Sequence, residues 1–171
     1  MATKKEPLVK SNITIENARI GFRNFTGKEG QFNPAGQRNF CVFLEDADAD
    51  LFAKDGWNIK HLTPKDPGDA PQAYLQVSVS YANYAPKVIL INSIGKTILD
   101  EDTVNILDWA DIENVDLIIR PYNWEVNKKK GVKAYLKTMY VTITEDEFAD
   151  KYRNVPDSAM SSPDDPVFEE D

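Results

Sequence analysis

The chain has one cysteine, Cys41, and one histidine, His61, among its 171 residues. A single thiol cannot close an internal disulfide, and one Cys with one His cannot assemble a zinc site of the Cys/His type. No apolar run reaches about 18 residues, the length a membrane helix needs. The opening stretch MATKKEPLVK is charged, but no apolar segment follows it, so it does not read as a secretory signal. These absences point to a reducing, cytoplasmic setting, with no membrane partner, no metal and no cofactor.

Catalytic patterns are missing as well. Gly95-Lys96-Thr97 invites comparison with a phosphate loop, but the glycine such a loop needs five residues before Gly95 is replaced by Leu90, inside an apolar run. Asp100-Glu101-Asp102 and Glu45, Asp46, Asp48 and Asp50 sit where helices begin, and acids there answer the helix dipole. Asn12-Ile13-Thr14 fits a glycosylation sequon, which carries no weight without a secretory signal. Nothing specifies a Ser/His/Asp or Cys/His arrangement, so the chain reads as a binding protein and not an enzyme.

Charge is unevenly spread. The net charge is −8, from 28 acids and 20 bases. Six of the acids (Asp157, Asp164, Asp165, Glu169, Glu170, Asp171) lie in a C-terminal stretch with no base. Setting them aside leaves 22 acids against 20 bases, a body near neutrality that has room for a basic groove.

The long stretch from Val115 to Ile143 reads as a β-hairpin. VDLIIRPYNWEV and VKAYLKTMYVTI are rich in β-branched and aromatic residues, and Asn127-Lys128-Lys129-Lys130-Gly131 separates them. Alternation puts Ile118, Arg120, Tyr122 and Trp124 on one face of the first arm, and Lys133, Tyr135 and Lys137 on one face of the second. Pairing Val126 with Gly131 sets Trp124 opposite Lys133, Tyr122 opposite Tyr135 and Arg120 opposite Lys137. That face interleaves aromatics with cations and holds no carboxylate. It suits a strand phosphate between the cations and bases stacked on the rings. The alternative is that Tyr122, Trp124 and Tyr135 are half-buried packing and Lys133 and Lys137 a solvated rim, and the sequence by itself favours that alternative slightly.

The rest of the chain is short strands. Residues 1–10 read as a loose arm. Ile13 and Ile15 start a strand in one phase, and Ala18, Ile20 and Phe22 continue it in the other, which predicts a bulge or bend near Glu16-Asn17. GFRNFTGKEGQFNPAGQRNF, with Arg23, Lys28 and Arg38 among Phe22, Phe25, Phe32 and Phe40, reads as a long hairpin connection, either a basic aromatic flap or a loop pinned by its phenylalanines. Strands are expected over Arg38–Leu44, Trp57–Leu62, Ala73–Tyr81 and Lys87–Ile91, with NSIGKT a polar connection. Short helices are expected over Glu45–Ala53 (Asp46 as N-cap, Leu51 and Phe52 inward), from Asp100 (Val104, Leu107 and Trp109 as apolar stripe) and over Glu145–Tyr152. Such a chain is mainly β. Its pattern fits an OB-like five-stranded Greek-key barrel with an extra hairpin and short helices, spanning residues 11–153; the alternative is a β-sandwich.

Residues 154–171 read as a disordered acidic tail. Val167 and Phe168 lie among Asp164, Asp165, Glu169, Glu170 and Asp171. A solubilising tail needs no such apolar pair, whereas a motif docking a basic-rimmed hydrophobic pocket does.

The stretches GFRNFTGKEGQFNPAGQRNFCVFL, LDEDTVNILDW and VDLIIRPYNWEVNKKKGVKAYLKTMYVTI resemble bacteriophage single-stranded DNA-binding proteins of the replication and recombination type, over about residues 12–150. The resemblance implies an OB fold that coats exposed strands in the host cytoplasm, and a tail that recruits replication or recombination proteins. As a class it implies DNA contacts from Arg120, Tyr122, Trp124, Tyr135 and Lys137 on the hairpin and from Arg23, Phe25, Lys28 and Arg38 on the flap; Lys133 joins them by its position. In the commonest pattern of such tails the aromatic residue ends the chain; here Glu169, Glu170 and Asp171 follow Phe168. The competing reading is an acidic phage protein that docks or inhibits a host nucleic-acid enzyme, its charge imitating a phosphate backbone. The sequence leaves a monomer or a dimer equally open.

Overall fold

The computed structural model describes residues 11–31, 33–82 and 84–144. The chain runs β1 (Ile13–Ile15), β2 (Arg19–Asn24), β3 (Arg38–Leu44), α1 (Asp46–Lys54), β4 (Ile59–Leu62), β5 (Gln72–Val79), β6 (Lys87–Asn92), β7 (Gly95–Leu99), a 3-10 turn (Val104–Asp108), β8 (Ile112–Val126) and β9 (Lys129–Ile143). The protein is mainly β, and its described strands belong to one mixed sheet. The two-sheet sandwich is therefore set aside.

The sheet path is β1-β8-β9-β5-β3-β2. Its two ends, β1 and β2, are halves of one bent segment. The bend is the one expected near Glu16-Asn17: Asn17 has φ 50, and its N–H donates to Asp116 Oδ1 at 2.8 Å. Before the bend, β1 pairs with β8 through Ile13–Ile119 and Ile15–Leu117. After it, Ala18 N–H donates to Val115 O at 2.7 Å, and β2 then pairs with β3. The path thus returns on itself as a ring of five members, one of them this bent segment. β5 and β9 run parallel, and every other neighbouring pair in the ring is antiparallel. This is an OB-like arrangement. The strand count exceeds five because the first member is split in two, and β4, β6 and β7 are additions at the sides.

Alternation fills the ring. Val42, Leu75, Val77, Leu117, Ile119 and Leu136 point inward and are buried, each such side chain contributing about 1.5–3 kcal/mol. The hairpin carries a bulge where Ile118 pairs with Thr138 and Ile119 with Leu136. Lys137 is the extra residue, so Leu136 and Met139 both stay in the core. β6 sits between β7 and β9, and its successive residues Val88, Ile89 and Leu90 are all buried, so both of its faces are apolar.

Several local expectations are corrected. α1 starts after Glu45, and Asp46 is its first residue rather than a cap. Leu51 is exposed, while Ala49 is buried and Phe52 packs on the core. Phe22, with φ 48 at an irregularity of the β2–β3 ladder, is exposed instead of continuing the inward phase. NSIGKT is a tight turn leading into β7; Asn92 Oδ1 accepts the N–H groups of Ile94 and Gly95. The expected helix after Asp100 is a single 3-10 turn. Val104 and Leu107 are buried, but Trp109 is 71% exposed. The expected helix over Glu145–Tyr152, the arm 1–10, Phe32 and the tail lie outside the described residues.

Candidate nucleic-acid interface

The β8–β9 hairpin keeps the two faces that alternation assigned it, but its register differs by two residues from the expected one. The turn is Asn127-Lys128 alone, both at positive φ (51 and 67), the form a two-residue hairpin turn takes. Val126 therefore pairs with Lys129, Trp124 with Gly131, Tyr122 with Lys133, and Arg120 with Tyr135. A slip of two preserves the side of the sheet on which each residue lies. It changes who faces whom, and for the better: Arg120 opposes a tyrosine instead of a lysine.

The outer face of the hairpin is consequently a connected cluster. Tyr122 and Tyr135 meet edge to face, centroids 5.9 Å apart at 88°. Arg120 lies 5.6 Å from the Tyr135 centroid and 4.9 Å from that of Tyr84, on the loop after β5. Lys133 Nζ lies 5.2 Å from the Tyr135 ring. Each cation is held near a ring face by its quadrupole. Tyr122 is 52% exposed, Trp124 38% and Tyr84 72%, so aromatic surface remains for a further flat partner. Trp124 lies across Gly131: a Cβ added there would come within 2.4 Å of Trp124 Cζ2. The glycine makes that ring position possible.

Beside the cluster runs a groove of about 720 Å³. Its walls are the end of the flap (Asn33, Gly36, Gln37), the start of β3 (Arg38, Asn39), β5 and its extension to Ala82, and Trp124 with Val132–Tyr135 from the hairpin. The parallel β5–β9 pairing, through Val77–Ala134 and Ser78–Tyr135, brings these elements together. Tyr135 belongs to both the groove and the cluster, so the two form one surface. In a barrel of this type the outer face of the second and third strands, with the adjoining loops, is where oligonucleotides lie.

Arg38 ends the groove. Its guanidinium lies 5.5 Å from the Tyr81 centroid, and Nη1 is 3.8 Å from Glu101 Oε1. Burial raises the Tyr81 hydroxyl to about 12; Arg38 opposes that rise, and Asp100 and Glu101 add to it. The tyrosine is therefore neutral near pH 7. Elsewhere, burial raises the Cys41 thiol, and nearby Lys60 partly offsets this, so Cys41 is packing and not a nucleophile.

The flap fares differently from the hairpin. Phe25 is fully buried and stacks on Phe40, centroids 5.1 Å apart, so it offers no ring to a base. Arg23 Nη1 donates to Leu107 O and Ala110 O, both at 2.8 Å, and so braces the 3-10 turn instead of facing the groove. Asp108 accepts the N–H groups of Phe25 and Thr26, fixing the flap's root to the same turn. Lys28 is exposed, outside the groove wall; the flap around it is tied by Asn24 and Asn33. Lys137, on the bulge, is exposed and also outside that wall. Of the flap cations only Arg38 reaches the groove. Tyr84, Tyr81 and Glu101 were missed by sequence reasoning. A signal existed for Tyr84, an aromatic inside the turn YANYAP, where packing does not require one.

A family model described as "Putative phage ssDNA-binding domain" matches residues 2–170. Among solved structures, the chain is similar to the single-stranded DNA-binding protein of bacteriophage Enc34 in complex with ssDNA, with TM-score 0.53 and 13% identity over 79% of this chain and 88% of that one. A C-terminal truncation of the same phage protein gives TM-score 0.51 and 13% identity, over 79% and 87%. At this identity the likeness is one of fold. No curated protein sequence matches the chain. Among the described residues, no helix is long and apolar enough to cross a membrane.

Proposed function

The chain belongs to the family of phage single-stranded DNA-binding domains, a family of binding proteins and not enzymes, and on that premise we propose how it holds its strand. A single strand of DNA follows the groove between the flap's end, β5 and the hairpin. Bases stack on Trp124, Tyr122 and Tyr135, with Tyr84 extending the aromatic surface. Phosphates meet Arg120, Lys133 and Arg38. Stacking accepts any base, so binding has little sequence preference. The chain acts in phage DNA replication, recombination or repair. Its tail, with Val167 and Phe168 among Asp164, Asp165, Glu169, Glu170 and Asp171, recruits protein partners.

The observation that carries this reading is the outer face of the hairpin. Between Ile118 and Trp124, and across from Gly131 to Tyr135, it carries two cations and three exposed or half-exposed rings, with no carboxylate. Arg120 and Lys133 converge on the Tyr135 ring, and a phosphate beside them supplies the anion that this face lacks among the described residues.

Fluorescence anisotropy of labelled oligo-dT and an equal-length duplex, at low and moderate salt, tests it. Full-length protein and protein cut after Asp157 are compared. The expected result is salt-sensitive binding of the single strand, weaker for the duplex and tighter without the tail. Absence of oligo-dT binding by both proteins at low salt rejects the reading.

A further inference from the structure

The groove that we assign to the DNA strand contains an acid where a phosphate should be welcome. Among the described residues lining it, Glu101 is the one carboxylate, and it stands beside Arg38. The pairing is loose on both sides. Arg38 Nη1 is 3.8 Å from Glu101 Oε1, and Nη2 donates to Glu101 O at 3.4 Å, both long for charge-assisted contacts. Arg38 Nε is buried and finds no hydrogen-bond partner among the described residues. The Arg38 side chain is 19% exposed, the Glu101 side chain 61%. A largely buried guanidinium, backed by the Tyr81 ring, thus has its Nη1 and Nη2 donors only loosely engaged, while its counter-ion stands mostly in water.

From this we propose that Glu101 is a built-in competitor for the DNA backbone at Arg38. The inference rests on the strand-binding reading of the groove. A guanidinium presents its N–H groups in a planar fork that fits a phosphate with two parallel hydrogen bonds. A mostly exposed carboxylate at 3.8 Å cannot match that, since such pairs are weakly held and screened. The incoming phosphate takes the fork, and the Glu101 side chain turns to solvent. The anion exchange at this subsite lowers affinity compared with a groove lacking the acid. It also makes Arg38 a place where the strand is easily released.

Oligo-dT anisotropy at low salt, with the full chain, tests this through a double-mutant cycle. Glu101→Gln, isosteric and at an exposed position, is expected to tighten binding about threefold to tenfold, the effect of removing one like charge beside a phosphate contact. Asp48→Asn, on α1 outside the groove wall, removes the same charge and is expected to change affinity less than twofold. In an Arg38→Gln background the gain from Glu101→Gln should fall below twofold. A gain that survives in that background, or one matched by Asp48→Asn, overturns the proposal in favour of a general charge effect. Wild-type binding with no gain from Glu101→Gln overturns it and leaves the strand-binding reading standing; no binding by either protein overturns both. Should Arg38→Gln not fold, the Arg38 Nε–H resonance serves instead. It should shift on adding oligo-dT to the wild type, and a stationary resonance overturns the proposal.

Discussion

The hairpin and the flap look alike in sequence: each is a run of aromatics and cations. In the molecule they have opposite fates. The hairpin places Arg120, Tyr122, Trp124, Lys133 and Tyr135 on one exposed surface. The flap places Phe25 in the core and binds Arg23 to carbonyls of the 3-10 turn. The difference lies in backbone regularity. In a strand, a side chain's face follows from parity alone, so a polar or aromatic residue between inward valines must point outward. An irregular loop has no parity, and its large apolar groups bury wherever space allows while its cations pair with whatever carbonyls they meet. Composition marked both regions as candidate surfaces; alternation decided which of their side chains stay exposed.

Substitutions can break or sharpen that contrast. The largest effect is expected from Phe25→Ala. It removes a fully buried ring stacked on Phe40 and should cost about 3–5 kcal/mol of stability in a denaturant titration. A stable variant with weakened DNA binding would instead return Phe25 to the flap surface.

Tyr122→Ala and Trp124→Ala should do the reverse. Each should lose about 1–3 kcal/mol of oligo-dT affinity with little change in melting temperature, since both are exposed outward-facing side chains. Unchanged affinity in the folded double variant would remove the hairpin from the interface.

The two arginines separate next. Arg120→Ala should reduce the slope of log affinity against log salt by about 1, as expected for a lost phosphate contact. Arg23→Ala should leave the slope unchanged and lower stability, because Leu107 O and Ala110 O lose their donor. A slope change in both would put Arg23 back on the DNA path.

The smallest effect concerns the tip. Lys128 has φ 67, which a lysine adopts at some cost and glycine does not. Lys128→Gly should stabilise the protein by about 0.5–1 kcal/mol, measured by thermal melting. A destabilised variant would contradict the two-residue turn.

Tyr81 supplies a pH dependence. Its hydroxyl is raised to about 12 from an ordinary 10, so folding favours the neutral form. Its contribution is complete below pH 10 and is lost as pH rises through about 12. Tyr81→Phe should therefore weaken the alkaline fall in stability between those values, followed by circular dichroism.

The strands and their faces were legible from alternation: Leu75, Val77 and Val79 inward, Arg120, Tyr122 and Trp124 outward. The bend at Asn17 was legible too, because Ile15 and Ala18 are out of phase. The register was not. Asn127-Lys128-Lys129-Lys130-Gly131 reads as one polar loop, and only the positive φ of its first two residues confines the turn to them. β7 was missed because Lys96 and Thr97 break the apolar signal and Ile98 faces water. The groove was hardest to foresee. Arg38 and Glu101 are 63 residues apart, and they meet because β3 pairs with β5, β5 runs beside β9, and β9 carries the β6–β7 pair whose end leads to Glu101. Nothing local in either stretch encodes that meeting.

The bent first member of the ring has a consequence for how the chain comes to be folded at all. Ile13 pairs with Ile119, and β5 finds its parallel neighbour only at Ala134. At about 5–20 residues per second on the ribosome, the seam strand waits on the order of ten seconds for its mate. Until then β1 has no strand partner, and β5, flanked by β3 and by β4 over Gln72–Leu75, keeps its Val77–Ser78 end bare, while β2 and β3 can already pair. The ring must therefore shut late, as a single long-range event, and any interruption of synthesis before the hairpin leaves a β-rich fragment with open edges, the form of chain most inclined to stick to its own kind.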